Sequence, residues 1–332
     1  MSNSDYSNSD LDGSNNVDQE GPITNSTGKL VMLGVMSLLL CVSMLMSIFT
    51  PLPVAFATVL YGRRKAYILG VICTIVAFTL TPTLGMMYFF CFLISVMIGE
   101  IIHRDLAPMR AMIKVGLMFI FFIAALGLAS MQANNTTPKD FVVAQLKASV
   151  AKIEQQKVKL KGADAQELEM ALVKLSQPEK VAEKVIEVLP SYLFVSVFFM
   201  LWTNLFLVLR SRRVLIKAKS FAYSEKTLLT FKVPEFFIWI VIPSLVLAIW
   251  GEESLGNTSS IVGTTLVYCF GVFYFFQGFG ILIRLLDRAG IYGFIRTLLV
   301  MFLVVSLHWA LALVGLFDMW VDFSRFTEKK SQ

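Results

Sequence analysis

What most limits the fold is a series of long apolar runs almost free of charge. They are Leu30–Phe49, Tyr88–Ile102, Val115–Ala129, Tyr192–Leu209, Val233–Trp250, Ile261–Ile283 and Phe294–Phe317. Most approach the ~20 residues that a helix needs to cross ~30 Å of hydrocarbon. Of 332 residues, 56% are hydrophobic and 16% charged, with a mean hydropathy of +0.71; a soluble chain carries about a quarter charged residues. The expected fold is all-α. It is a polytopic transmembrane helix bundle of about eight or nine membrane segments, one of them short and proline-bounded, with an extramembrane helical insertion.

The net charge of +6 would suggest nucleic acid in a soluble protein. Here the basic residues lie in short loops between apolar runs, so they report orientation, and no nucleic-acid partner is expected. Arg210, Arg212, Arg213, Lys217, Lys219, Lys226 and Lys232 mark Arg210–Lys232 as cytoplasmic. Alternation then puts Met131–Glu187 outside, with Arg63-Arg64-Lys65, the His103/Arg104/Arg110 loop and the Arg284/Arg288/Arg296 loop inside. Gly251–Asn257, which has no Lys or Arg, falls outside. Arg325, Lys329 and Lys330 fit poorly: one crossing by Phe294–Phe317 would leave them outside, against the rule.

Five regions follow. Residues 1–28, rich in Ser, Asn, Asp and Gly with no basic residue before Lys29, are expected to be a disordered tail, not a signal peptide. Residues 29–129 form an N-terminal membrane bundle, 130–188 the insertion, 189–325 C-terminal membrane helices and 326–332 a tail. In the insertion, Leu168, Ala171, Leu172 and Leu175, then Val181, Val185 and Val188, recur at helical spacing, with a break expected before Pro178. It reads either as a lid or partner surface or as a solvated appendage. Cys41, Cys73, Cys91 and Cys269 all lie in apolar runs without metal or redox spacing, so they read as packing residues; no metal and no cofactor is expected.

One apolar piece is too short to cross. Pro51 and Pro53 open it, and Tyr61 and Gly62-Arg63-Arg64-Lys65 close it. About ten helical residues rise about 15 Å, half of the hydrocarbon core. Broken backbone survives in a membrane only where protein or a cavity surrounds it, so Pro51, Pro53 and Tyr61 are candidates for lining a cavity. The alternative is an irregular helix pair without one.

"TPLPVAFATVLYGRRKAYILGVICTIVAF" (Thr50–Phe78) resembles the second and third segments of energy-coupling-factor transporter substrate-binding subunits, a likeness extending over about Lys29–Ala129 with Tyr192–Leu209 as a sixth segment. Where that family docks its energising module through an Ala-x-x-x-Ala face, the first span here has Gly34 and Ser37. "FKVPEFFIWIVI", "YFFQGFGILIRLLDRAG" and "LALVGLFDMWVDFSRF" resemble the YybS-type family of multispanning bacterial membrane proteins, over nearly the whole chain. This second resemblance implies a multi-pass protein of the bacterial plasma membrane and brings no established substrate.

Polar groups inside apolar runs point most directly to function, because leaving one unpaired costs about 1–3 kcal/mol. Gln277 shares a helix face with Arg284, beside Gly271 and Gly278. It could bind a polar ligand that the glycines admit, or bond across a helix contact that the glycines permit. His308 stands mid-run, with Gly315 and Asp322 near its face; it reads as a proton relay or as a histidine satisfied by a neighbouring carbonyl. Asn204 follows Trp202 and Thr203 at mid-membrane, where such residues commonly join helices. Asp287 with Arg284, and Asp322 with Arg325, are spaced to pair at helix ends, as Asp318 follows the last run; Glu100 and His103 close a span near the inner surface.

There is no Gly-Lys phosphate loop, His-Glu-x-x-His or Gly-x-Ser-x-Gly, and no enzyme is expected. The expected function is a transporter-like subunit binding a small solute through Asn204, Gln277 and His308. The alternative is a non-transporting scaffold of the cell envelope. The lipid bilayer, a small-molecule solute and other membrane proteins are the expected partners.

Overall fold

The computed structural model describes residues 27–43, 46–133, 135–157, 177–211 and 222–323. The acidic tail, Leu168, Ala171, Leu172 and Leu175, the arginines and lysines at 212–219, and Arg325, Lys329 and Lys330 lie outside these residues. Every regular element among the described residues is helical.

The elements are α1 (Thr27–Val42), α2 (Pro51–Tyr61), α3 (Arg63–Leu80), α4 (Pro82–His103), α5 (Pro108–Ala133) and α6 (Pro138–Lys157). They are followed by α7 (Pro178–Arg210), α8 (Glu225–Leu229), α9 (Ile238–Leu255), α10 (Asn257–Arg288), α11 (Gly293–Ser306) and α12 (His308–Val321). Proline punctuates the chain: α2, α4, α5, α6 and α7 each begin on one. At that position the missing N–H would have no helical partner and the ring pre-sets φ. Between α2 and α3 the chain turns on Gly62 alone, at φ 84°, a conformation that a β-carbon would strain.

Five helical stretches are long and apolar enough to cross a bilayer: α4, α5, α7, Glu235–Leu255 and α10. A sixth span results if α11 and α12, bent by 92° at Leu307, count together. Eight or nine segments were expected; α1 and Ser47–Tyr61 are apolar but fall short in length. At 33 and 32 residues, α7 and α10 reach about 50 Å and protrude beyond the hydrocarbon core. No break separates the end of the insertion from the following span, because α7 runs through Pro190 as one rod.

One end of the bundle collects the basic residues of the short loops. There Arg63 at the start of α3 bonds Glu100 at the end of α4 at 2.9 Å, and Arg104 bonds the same carboxylate at 2.8 Å. Ile101, Asp105, Pro108, Leu209 and Tyr223 meet at this end, so α4, α5 and α7 all have a terminus here. From it α1 rises, with Gly34 against Leu69 and Cys73 and then Ser37 against Tyr88, and α2 descends back to Arg63.

The last two helices make a second such hairpin. α12 runs in the direction of α10, with Tyr268 beside Trp309, Tyr274 beside Gly315 and Gln277 bonded to Asp318, a constant offset of 41 residues. Arg296 near the start of α11 bonds Asp287 at 2.6 Å, and Asp322 just past α12 bonds Lys232 at 3.0 Å. Both ends of the pair therefore sit at the basic end. The chain thus leaves that end, bends by 92° at Leu307 and comes back toward it.

Candidate functional site

Neighbouring side chains serve three carbonyls of the proline break. Asn204 of α7 donates to the Ile48 carbonyl at 2.8 Å, Ser37 of α1 to Thr50 at 2.8 Å and Ser95 of α4 to Pro51 at 3.0 Å. Tyr88 in turn donates to Ser37 at 3.1 Å. In hydrocarbon no water is present to do this, so three helices are tied to one irregular turn. Pro51, Pro53 and Tyr61 are buried in that packing. The second hydrogen of the Asn204 amide goes to Met200 at 2.8 Å, which leaves its buried Oδ1 without a donor among the described residues.

Gln277 occupies a different place, at the α10–α12 crossing near the basic end. Its Oε1 accepts from the Val233 N–H and its Nε2 donates to Asp318, both at 2.8 Å. The other Asp318 oxygen accepts from the Phe323 N–H at 2.7 Å. Gln277 is 2% and Asp318 3% exposed, so each polar end of the amide is used by protein. Gly278 and Gly280 are the reason the backbones come this close: a β-carbon on Gly280 would lie 2.2 Å from the Leu229 carbonyl oxygen. Asp318 is the residue that sequence reasoning underweighted. An acid placed seven residues after Leu311 on the packed face of an apolar helix was the available signal.

His308 is brought together with neither. It opens α12 immediately after the bend and lines a cavity of about 430 Å³ between α7, α10, α11 and α12. The size falls within the range of small-molecule sites, ~300–1,000 Å³. Phe199, Val195, Val272, Phe275 and Ala312 supply its walls, while Ser191, Tyr192, Tyr268, His308 and Trp309 bring polar atoms to it. By helix rise it lies about 20–30 Å from Arg288 along α10, around the middle of that helix. Pro51, Pro53, Tyr61, Asn204 and Gln277 are not among its lining residues.

Gly271 also lines this cavity, and nothing lies within 4 Å of where its β-carbon would be. At its neighbour in sequence pattern, Gly278, a β-carbon would run into the Leu311 carbonyl oxygen. The two glycines beside the Gln277 face thus serve opposite ends: one closes a helix contact, the other opens a space. Among the described residues no group of His, Cys, Asp and Glu could hold a metal ion, and Cys41, Cys73 and Cys91 are buried packing residues.

A helical bundle with lipid-length apolar spans, polar groups tied to one another inside it and a cavity among its helices is an integral membrane protein of the multi-spanning helical class. The chain belongs to the family described as predicted membrane protein (DUF2232), whose model matches residues 30–319. No curated protein and no solved structure matches it.

Proposed function

We propose that this is a transporter-type, solute-binding protein of the bacterial plasma membrane, whose binding site is the cavity at the α11–α12 bend. The observation that carries the reading is the cavity itself: about 430 Å³, between four helices, lined by a histidine, two tyrosines and a tryptophan above apolar walls. Under the positive-inside rule the basic end faces the cytoplasm, so the end of the cavity that carries Tyr192, Tyr268, His308 and Trp309 points outward and α6 lies outside. His308 is then the ligand-contacting residue, whereas Asn204 and Gln277 hold the surrounding helices. The likeness of Thr50–Phe78 to substrate-binding subunits supports the same reading, with the α1–α2 hairpin as a packed structural unit.

One observation favours a non-transporting envelope scaffold instead: both hydrogens of Asn204 and both ends of Gln277 bond to protein. Purification from native membranes, followed by mass spectrometry of co-purified small molecules, separates the two. A transporter-type protein carries a defined compound near one per chain; a scaffold carries only the bulk lipids of its membrane.

A further inference from the structure

We infer that the cavity takes an amphiphile, an apolar or aromatic body carrying a small uncharged hydrogen-bonding head, oriented with the head away from the cytoplasm. The inference rests on the solute-binding reading above and adds the chemical class and the pose. Its basis is the order of residues along each wall.

α7 runs toward the basic end and contributes Ser191 and Tyr192 first, then Val195 and Phe199. α10 runs the same way and contributes Tyr268 first, then Gly271, Val272 and Phe275. Parallel to it, α12 contributes His308 and Trp309 first, then Ala312. On all three helices the polar residues come at the far end and the apolar ones toward mid-membrane. The cavity therefore has a polar mouth and an apolar floor separated by seven residues of α10, about 10 Å. Tyr192 is 62% and Trp309 49% exposed, so the mouth is open. Among the described residues no Asp, Glu, Lys or Arg lines the cavity, so no carboxylate, ammonium or guanidinium stands there to pair with a charged head, and His308 offers a hydrogen-bonding imidazole.

Gly271 marks where the body lies. A glycine inside a helix weakens it by about 1 kcal/mol relative to alanine. Elsewhere in α10, Gly263, Gly278 and Gly280 answer that cost with close packing, since a β-carbon on any of them would clash with the backbone of Ala248, Leu311 or Leu229 respectively. Gly271 has no such contact and no positive φ; the room it leaves belongs to the cavity floor. A body seated there would be flanked by Phe199 and Phe275, with its head within the Tyr192, Tyr268, His308 and Trp309 mouth.

The test uses the full chain in phosphatidylcholine nanodiscs, titrated with 1-aminoanthracene, a three-ring apolar body bearing one hydrogen-bonding amine. Empty nanodiscs define the partitioning background. Saturable binding near one per chain is expected, lost at least tenfold in Gly271→Phe and weakened threefold to tenfold in His308→Leu. Gly271→Ala, which adds one methyl into open space, should retain binding within about fivefold and keep the fold, so a misfolded phenylalanine variant leaves the question decidable. No saturable binding, or equal binding by wild type and Gly271→Phe, overturns the inference. If the probe fails but a water-soluble polar compound co-purifies with wild type and is lost from Gly271→Phe, the solute-binding reading stands and only the amphiphile class falls. If the small molecules carried are the same in both, both readings fall.

Discussion

Gly278 and Gly315 meet backbone to backbone across α10 and α12. A β-carbon on Gly315 would come 2.8 Å from the Gly278 nitrogen, and one on Gly278 3.1 Å from the Gly315 nitrogen. Neither position can give way, since the obstructing atoms are main chain. This contact fixes α12 along the inner half of α10 while its other end, at Leu307 and His308, stands beside the cavity.

Glycine-to-alanine changes should therefore split by position. Gly278→Ala and Gly315→Ala are expected to destabilise by about 1–3 kcal/mol or more through overpacking, whereas Gly271→Ala should stabilise by up to about 1 kcal/mol through helix propensity. Thermal unfolding in a fixed detergent reads both signs. A destabilised Gly271→Ala would show that Gly271 packs against protein after all.

Gln277→Leu should loosen the fold without emptying the cavity. The change leaves the Val233 N–H without its acceptor and removes one of two donors to the buried Asp318 carboxylate, at about 1–3 kcal/mol for an orphaned group. A double-mutant cycle with Asp318→Asn measures the coupling. Loss of solute binding with unchanged stability would return Gln277 to the binding site.

Asn204→Leu should free the turn ahead of α2. The bond to Ile48 is an interhelical hydrogen bond inside a membrane protein, a class worth about 0.6–2 kcal/mol. Faster amide exchange over Ser47–Val54, with α10 unchanged, is the expected readout.

Both chain segments at the basic end should report the same side. With the four native cysteines replaced by alanine, Ser224→Cys and Phe323→Cys are expected to resist an impermeant thiol reagent in intact cells, and Ala163→Cys to react. Reactive Phe323→Cys beside protected Ser224→Cys would mean that α11 and α12 cross the membrane instead of turning back.

At the start of α6, the Thr137 hydroxyl and then its backbone N–H donate to Asp140, holding that carboxyl below its ordinary range. A depressed folded value means that the cap is fully present above the usual carboxylate pKa of ~3.9 and is lost as pH falls through the lowered value. Asp140→Asn should speed exchange of the first-turn amides of α6 at pH 7, with no change in α10. Equal exchange in both proteins would remove the cap from the account.

Much of the fold was legible in local sequence. Uncharged runs such as Ile261–Ile283 had to become helices, because hydrocarbon offers no partner for an open backbone. Pro51 and Pro178 announced two helix starts, and the Lys and Arg of the short loops picked out one basic end. Asn204, Gln277 and His308 stood out for the same reason, as polar groups with no water to serve them. What each polar group meets was decided only in three dimensions. Whether a glycine closes a contact or opens a space depends on the atoms opposite it, and Gly271 and Gly278 look alike along the chain. The 92° bend at Leu307 carries no proline or glycine of its own; it follows from α12 being held on α10 by Gly315 and Asp318 while Arg296 anchors α11 to Asp287. Hydropathy counts residues along one chain, and these are contacts between residues far apart in it.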